Sequence, residues 1–362
     1  MDTTTLLLFV LGLGLLLGGA ELLVRGAATL ANRMGIPPLV VGLTVVAFGT
    51  SSPELAVTVQ SSLEGQADLA LGNVVGSNVF NVLFILGVSG LVAPLVVSRQ
   101  LVRVEVPVMI GVSGVVWVLA LDGLLSRLEG VFLVTALVLY LWFQFHMGRK
   151  EPGGEDLDAP GVPSAEEAKQ ASVLLQLAFV VGGLLMLVLG SRWLVNGAVE
   201  VATRLGVSEL VIGLTVVAAG TSLPEVATSI LASVRGQRDI AVGNVVGSNV
   251  FNLLGVLGVA GALSTGIVIP PAALAFDLPV MTVVALACLP IFFTGLVIAR
   301  WEAALFLGYY VAYTVYLILR AAEHDALEEF GIVLLFFVVP LTVVTLALVA
   351  FREVRRRGNG RS

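Results

Sequence analysis

Glu54 and Glu225 each stand deep within a long apolar stretch, and each closes the same run, Gly-Thr-Ser-x-Pro-Glu, at Gly49–Glu54 and Gly220–Glu225. An acid at the centre of a bilayer costs about 2.5–3.5 kcal/mol on insertion scales and is a functional hypothesis by default. Proline lacks an N–H and its ring pushes against the carbonyl four residues back. Pro53 is therefore expected to open the carbonyl of Gly49, and Pro224 that of Gly220. Open backbone is tolerated in a membrane only against protein or a wet cavity. Thr50 and Glu54 are four apart, as are Thr221 and Glu225, so each pair shares one helix face.

A second run follows each acid: Gly-Asn-Val-Val-Gly-Ser-Asn-Val-Phe-Asn, at Gly72–Asn81 and Gly243–Asn252. Gly72 with Gly76, and Gly243 with Gly247, are small-x-x-x-small pairs that let helices approach closely. Ser77 and Asn81 share a face, as do Ser248 and Asn252, and would add neutral oxygens near the acids. Asn73, Asn78, Asn244 and Asn249 either coordinate or bridge helices. Two carboxylates with hydroxyl, amide and carbonyl oxygens suit a hard cation, and Ca²⁺ takes six to eight such ligands. The chain has one cysteine, Cys288, and two histidines, His146 and His324, so nothing favours zinc, copper or a disulfide framework. These residues by themselves leave Ca²⁺, Na⁺ and H⁺ open.

The elements that must carry these groups are membrane helices. The chain of 362 residues is 58% hydrophobic and 12% charged, with mean hydropathy +1.03. A soluble domain carries about 25% charged residues, so a water-soluble or nucleic-acid-binding protein is excluded. Eleven apolar stretches, each long enough to cross about 30 Å of hydrocarbon, are expected at 5–25, 37–63, 68–93, 103–121, 128–147, 173–194, 208–234, 238–262, 274–297, 302–320 and 330–351. The acidic, Pro- and Gly-containing segment 148–171 reads as a solvated linker. It lacks the spacing of an EF-hand. With the amino terminus outside, fifteen of the nineteen basic residues fall on the cytoplasmic side, as the positive-inside rule asks. The carboxyl terminus, with its basic tail 352–362, is then cytoplasmic.

Gly42–Gly87 and Gly213–Gly258 align without a gap at an offset of 171, with 30 of 46 positions identical. Five spans separate the starts of the two copies, so they enter the membrane from opposite sides. Inverted repeats are a hallmark of secondary transporters, which bind cargo near the midplane between the halves. Duplication for packing alone accounts for the glycines but not for mirrored acids. The expected fold is an all-α polytopic membrane protein of two inverted-topology five-helix repeats plus one extra C-terminal transmembrane helix. The first repeat is 1–147 (α-repeat 37–93), and the second is 172–320 (α-repeat 208–262). The linker lies between them, and the helix at 330–351 stands outside the repeat.

In these motifs the chain resembles the cation/calcium antiporter superfamily, nearest to prokaryotic sodium/calcium exchangers, over about 1–320. The resemblance implies exchange of extracellular Na⁺ for cytoplasmic Ca²⁺, usually three for one, with no cofactor, in a prokaryotic inner membrane. It implies that Glu54 and Glu225 bind Ca²⁺ with Thr50 and Thr221. The carbonyls of Ala47 and Ala218, with Ser51, Ser77, Ser222 and Ser248, would serve Na⁺, and Asn81 and Asn252 would line the centre. Many relatives, including the potassium-dependent branch, place Asp where this chain has Asn252, which argues against potassium dependence. The linker has no room for the regulatory calcium-binding domains of animal exchangers. A proton/calcium antiporter is the alternative, ahead of a cation channel or an intramembrane protease.

Three further acids are expected outside the site. Glu21 is four before Arg25, an ordinary helical pair or an interfacial snorkel. Glu105 and Asp277 precede Pro107 and Pro279 near span starts, where a helix amino end favours negative charge.

Overall fold

The computed structural model describes residues 3–34, 37–148, 172–204, 218–322, 324 and 326–345, with 347, 349 and 351. Without water to satisfy backbone N–H and C=O groups, apolar runs of this length have only the helix available. Among the described residues nine helices are long and apolar enough to cross a membrane, and one bent pair brings the number to ten. Together with a shorter apolar helix, Leu223–Val234, we number them α1 (Thr3–Met34), α2a and α2b (Leu39–Thr50 and Ser52–Leu63), α3 (Ala67–Val92), α4 (Leu101–Asp122) and α5 (Arg127–Gly148). There follow α6 (Val173–Arg204), α7a and α7b (Ala218–Thr221 and Leu223–Val234), α8 (Arg238–Leu263), α9 (Ala273–Phe293), α10 (Arg300–Ala321) and α11 (Ala326–Thr345). The expected span 208–234 is described only from Ala218 onward, and nearly all of the 148–171 linker and the whole 352–362 tail lie outside the described residues.

α3 and α8 are the most deeply buried spans and cross at the centre. Two short antiparallel strand pairs tie the halves together at their loops. β1 (Leu95–Val96) pairs with β4 (Val297–Ile298), and β2 (Leu124–Leu125) pairs with β3 (Ile267–Val268).

Lipid tails are as apolar as leucine, so membrane helices associate through close packing of small residues. α1 and α6 do this with glycines seven apart: Gly12, Gly19 and Gly26 on one, Gly183, Gly190 and Gly197 on the other. A Cβ on Gly19 would meet the Gly183 carbonyl at 2.8 Å, and one on Gly190 would meet the Gly12 carbonyl at 2.7 Å. The two backbones therefore touch. The repeated heptad of glycine was available as a sequence signal for this pairing.

Two expectations are corrected. Glu21 does not pair with Arg25: Arg235, just past α7b, reaches its carboxylate at 2.8 Å, because α1 packs along α7b and brings the two ends together. The span 37–63 is not one helix. It breaks at Ser51 and turns by 47°. The helix at α11 packs on α10, where the Tyr309 hydroxyl donates to Thr342 Oγ1 at 2.6 Å, and it stands away from the crossing of α3 and α8.

Candidate cation-binding site

The break in α2 is local chemistry. Ser51 takes φ −81°, ψ 8°, off the helical path, and Pro53 then starts α2b in the first turn, where its missing N–H leaves no bond unmade. The mirror position, Ser222, takes φ −89°, ψ 8° before Pro224. Pro53 has no N–H to offer the Gly49 carbonyl, and the Ser51 N–H that caps α2a goes to the Ala47 carbonyl. The Ala47 carbonyl accepts the Ser51 N–H at 3.0 Å and lies 3.4 Å from the Thr50 hydroxyl. Discontinuous helices of this kind bring half-helix ends to the middle of a transporter, with positive amino ends facing the site.

At these two breaks the halves meet. Ser51 Oγ donates to Glu225 Oε1 at 2.9 Å, and Ser222 Oγ donates to Glu54 Oε1 at 2.8 Å. Each serine thus holds the acid of the other half, and the two carboxyls are near enough for their charges to interact. Glu54 is 1% exposed and Glu225 0%. Ser77 on α3 lies 3.2 Å from the Ser222 hydroxyl, and Thr221 lies beside Glu54. Thr50 and Ser248 lie beside Glu225.

The asparagines divide into two roles. Asn73 donates to the Glu54 carbonyl at 3.1 Å and to Thr58 at 2.8 Å while accepting from Thr221 at 3.3 Å. Asn244 does the same in mirror image, donating to Ser229 at 2.9 Å and accepting from Thr50 at 3.1 Å. At the crossing, Asn78 donates to the Asn249 carbonyl at 3.2 Å and Asn249 to the Asn78 carbonyl at 3.4 Å. Asn78 and Asn249 also accept from Asn252 and Asn81, at 3.0 and 3.1 Å. These four asparagines have their side-chain oxygens occupied and bridge helices. Asn81 and Asn252 are different, because each donates its amide and keeps its oxygen free.

Of the eleven buried side-chain oxygens without a hydrogen-bond partner among the described residues, five belong to this region: Glu54 Oε2, Glu225 Oε2, Asn81 Oδ1, Asn252 Oδ1 and Ser248 Oγ. A buried acceptor without a partner is costly and calls for an explanation such as an ion. All five are groups singled out from the sequence, and all come from the two breaks and the two crossing helices. Such a set of hard oxygens with two carboxylates suits a divalent or alkali cation. The side chain of Ala218 lies outside the described residues.

The sequence did not reveal the π-turns that begin at Asn81 and Asn252, Asn81–Ile85 and Asn252–Val256. A π-turn inserts one extra residue into the helix, often at functional sites. Here it sits directly after each open-oxygen asparagine. No residue type marks it, although its recurrence at the offset of 171 does. Glu105 is fully buried but satisfied, accepting from Gln100 at 2.9 Å, from Tyr140 at 3.0 Å and from Gln144, and it stays outside the site.

The family model described as "Sodium/calcium exchanger protein" matches residues 4–146 and 175–319. The chain belongs to this family. The exchanger is 39% identical over 286 residues to the putative antiporter CaxA of Alkalimonas amylolytica, covering 78% of this chain and 88% of that one. It is 39% identical to the inner membrane protein YrbG of Escherichia coli, covering 77% and 86%. Its identity to the sodium/calcium exchanger MaX1 of Methanosarcina acetivorans is 31%, covering 88% and 99%. Among solved structures, it is similar to the sodium-calcium exchanger NCX_Mj soaked with Na⁺ and Ca²⁺, with TM-score 0.73 and 29% identity, over 86% of this chain and 97% of that one. Its apolar helices and its family make it an integral, multi-pass membrane transporter.

Proposed function

We propose that this exchanger is a secondary antiporter that moves Na⁺ one way and Ca²⁺ the other through the cage around Glu54 and Glu225. The observation that carries this reading is the set of five buried oxygens without partners, two of them carboxylate, gathered where mirrored helices break. Ca²⁺ would bind the free oxygens of Glu54 and Glu225, with Thr50 and Thr221 alongside. Na⁺ would take Ser51, Ser77, Ser222, Ser248 and the carbonyls of Ala47 and Ala218, while Asn81 and Asn252 line the centre. The serines that now donate to Glu54 and Glu225 change partner when a cation neutralises those acids, which couples occupancy of the site to contact between the halves.

The two halves, 1–147 and 172–320, serve as inverted repeats that expose the cage to each side in turn, and the ions are cargo, with no resident cofactor and no catalysis. The proposed setting is a prokaryotic inner membrane, amino terminus outside and carboxyl terminus in the cytoplasm. ⁴⁵Ca uptake into proteoliposomes tests the reading. An outward Na⁺ gradient is expected to drive Ca²⁺ entry, and a pH gradient alone is expected not to. Uptake driven by pH and indifferent to Na⁺ would make it a proton/calcium antiporter.

Asn252→Asp gives a sharper test of the centre. Asn252 Nδ2 donates to Asn78 Oδ1 at 3.0 Å, and an aspartate there would turn a donor into an acceptor and add a third carboxyl to the centre. Ca²⁺ uptake is expected to become steeply pH-dependent, falling at acid pH as the added group takes up a proton. Identical pH profiles for the variant and the parent would exclude Asn252 from the ion path.

A further inference from the structure

The offset of 171 runs back beyond the repeated motifs into the preceding helices. Gly19 maps on Gly190, Gly26 on Gly197 and Arg33 on Arg204. Under the same offset Glu21 maps on Arg192 and Glu64 on Arg235. Acid and base are exchanged at both positions. The ion pair between Glu21 and Arg235 therefore has a mirror image, Arg192 with Glu64, whose charges are reversed but still complementary.

Only one of the two pairs is made. Arg235 Nε and Nη2 reach Glu21 Oε2 at 3.1 and 2.8 Å. Among the described residues Glu64 and Arg192 form no ion pair, and Glu64 accepts only from Gln60 at 3.0 Å. The helices around them differ in the same sense. On the closed side α1 covers α7b: Val24, Ala28 and Ala227 are buried and Leu223 and Leu231 pack beside them. On the mirrored side Ala56, the counterpart of Ala227, is exposed, and α6 makes no matching cover over α2b among the described residues. There a groove of about 590 Å³ runs along α2b from Ser52, next to the helix break, to Glu64 at its end. Its lining includes Ser52 and Gln60, where α7b has Leu223 and Leu231.

We propose that Glu21–Arg235 and Glu64–Arg192 are alternate latches of the transport cycle. The first holds α1 on α7b and closes one face, as seen here. The second closes the other face when α6 comes down on α2b and the groove fills. Exchanging acid for base between the halves lets each latch join opposite charges while keeping like residues from facing one another. An exposed ion pair contributes at most about 1 kcal/mol, equivalent to about a five-fold bias between two states, so each latch tilts the equilibrium without locking it. That is what a cycling transporter requires. The proposal rests on exchange through the Glu54–Glu225 cage, and its test reads conformation separately from flux.

The sole cysteine, Cys288, is buried, so paired cysteines can be introduced cleanly in a Cys288→Ala background. Two variants, Glu21→Cys/Arg235→Cys and Glu64→Cys/Arg192→Cys, are treated with a bifunctional methanethiosulfonate spanning about a Glu–Arg pair. Cross-linking is read on a gel after cleavage at a protease site placed in the 148–171 linker. The 21–235 link is expected to form in one ion condition (Na⁺ or Ca²⁺ saturation) and the 64–192 link to be enriched in the other. In a variant with all four cysteines the first link should exclude the second. Each link should cut ⁴⁵Ca exchange at least ten-fold, reversibly with reductant. Separately, Glu64→Arg should slow exchange by about two- to five-fold, with Arg192→Glu in the same chain restoring it. The proposal falls if 64–192 never links under any ion condition, if both links coexist in one molecule, or if linked protein exchanges at the parental rate. If flux were absent altogether, the exchange reading would fail while the switching of the two links would still be visible.

Discussion

Glu54→Gln and Glu225→Gln are each expected to abolish Na⁺-driven Ca²⁺ uptake while leaving the protein folded in the membrane. In both acids one oxygen is held by a serine from the opposite half and the other has no partner. A glutamine keeps the serine bond through its carbonyl oxygen and turns an N–H₂ group toward the position of the free oxygen. The change therefore removes a charge and presents a donor where a cation needs an acceptor. Losing one partner of a buried charge pair costs about 2–5 kcal/mol, which predicts a fall in Ca²⁺ affinity of about thirty- to several-thousand-fold. Calcium-dependent thermal stabilisation of purified protein reads affinity, ⁴⁵Ca uptake reads transport, and size-exclusion behaviour reads folding. Because the site has near two-fold symmetry, the two variants should fail alike. Uptake that persisted in both would remove the acids from the ion path.

The sequence pointed to the members of the candidate site better than to their division of labour. Glu54 and Glu225 were legible because an acid in an apolar span has few structural uses, and repetition at a fixed offset made chance untenable. The paired glycines were only half right: Gly243 and Gly247 seat α8 on α2a, where an added Cβ would meet the Leu39 and Leu43 carbonyls, whereas a Cβ on Gly72 or Gly76 would meet nothing within 4 Å, and the crossing of α3 and α8 is made by the asparagines instead. Which asparagines bridge and which stay open was not legible, because Asn73, Asn78, Asn81 and their counterparts have identical chemistry. Only the direction of each amide, set by where the helices cross, separates bridges such as Asn78 from open groups such as Asn252. The break of the span at Ser51 was not legible either. A proline inside a helix and one starting a helix look the same in sequence, and the choice depended on Ser51 leaving the helical path. The partner of Glu21 was missed because helical spacing offers Arg25, while Arg235 lies 214 residues away in the chain.

Gly247→Ala should be nearly as damaging as losing an acid, although it adds only a methyl group. α8 lies against α2a at this glycine so closely that a Cβ would meet the Leu43 carbonyl oxygen at 2.6 Å, Leu43 Cα at 2.7 Å and Ala47 Cβ at 2.9 Å. Two of these three are backbone atoms, which cannot turn aside, so the helices themselves must part. Overpacking of this kind costs about 1–3 kcal/mol. The larger effect is on the site. α2a carries Thr50 and Ser51, whose bonds to Asn244 and Glu225 at 3.1 and 2.9 Å join it to the second half. Moving α2a away lengthens both and spreads an oxygen cage that must close to about 2.3–2.6 Å around Ca²⁺. Exchange is expected to fall at least ten-fold, with a lower thermal midpoint and no calcium-dependent stabilisation. Gly111→Ala on α4, where an added Cβ meets nothing within 4 Å, is the matched control and should exchange at the parental rate. If Gly247→Ala also bound and transported Ca²⁺ normally, the tight seam between α8 and α2a would not be what sets the width of the cage.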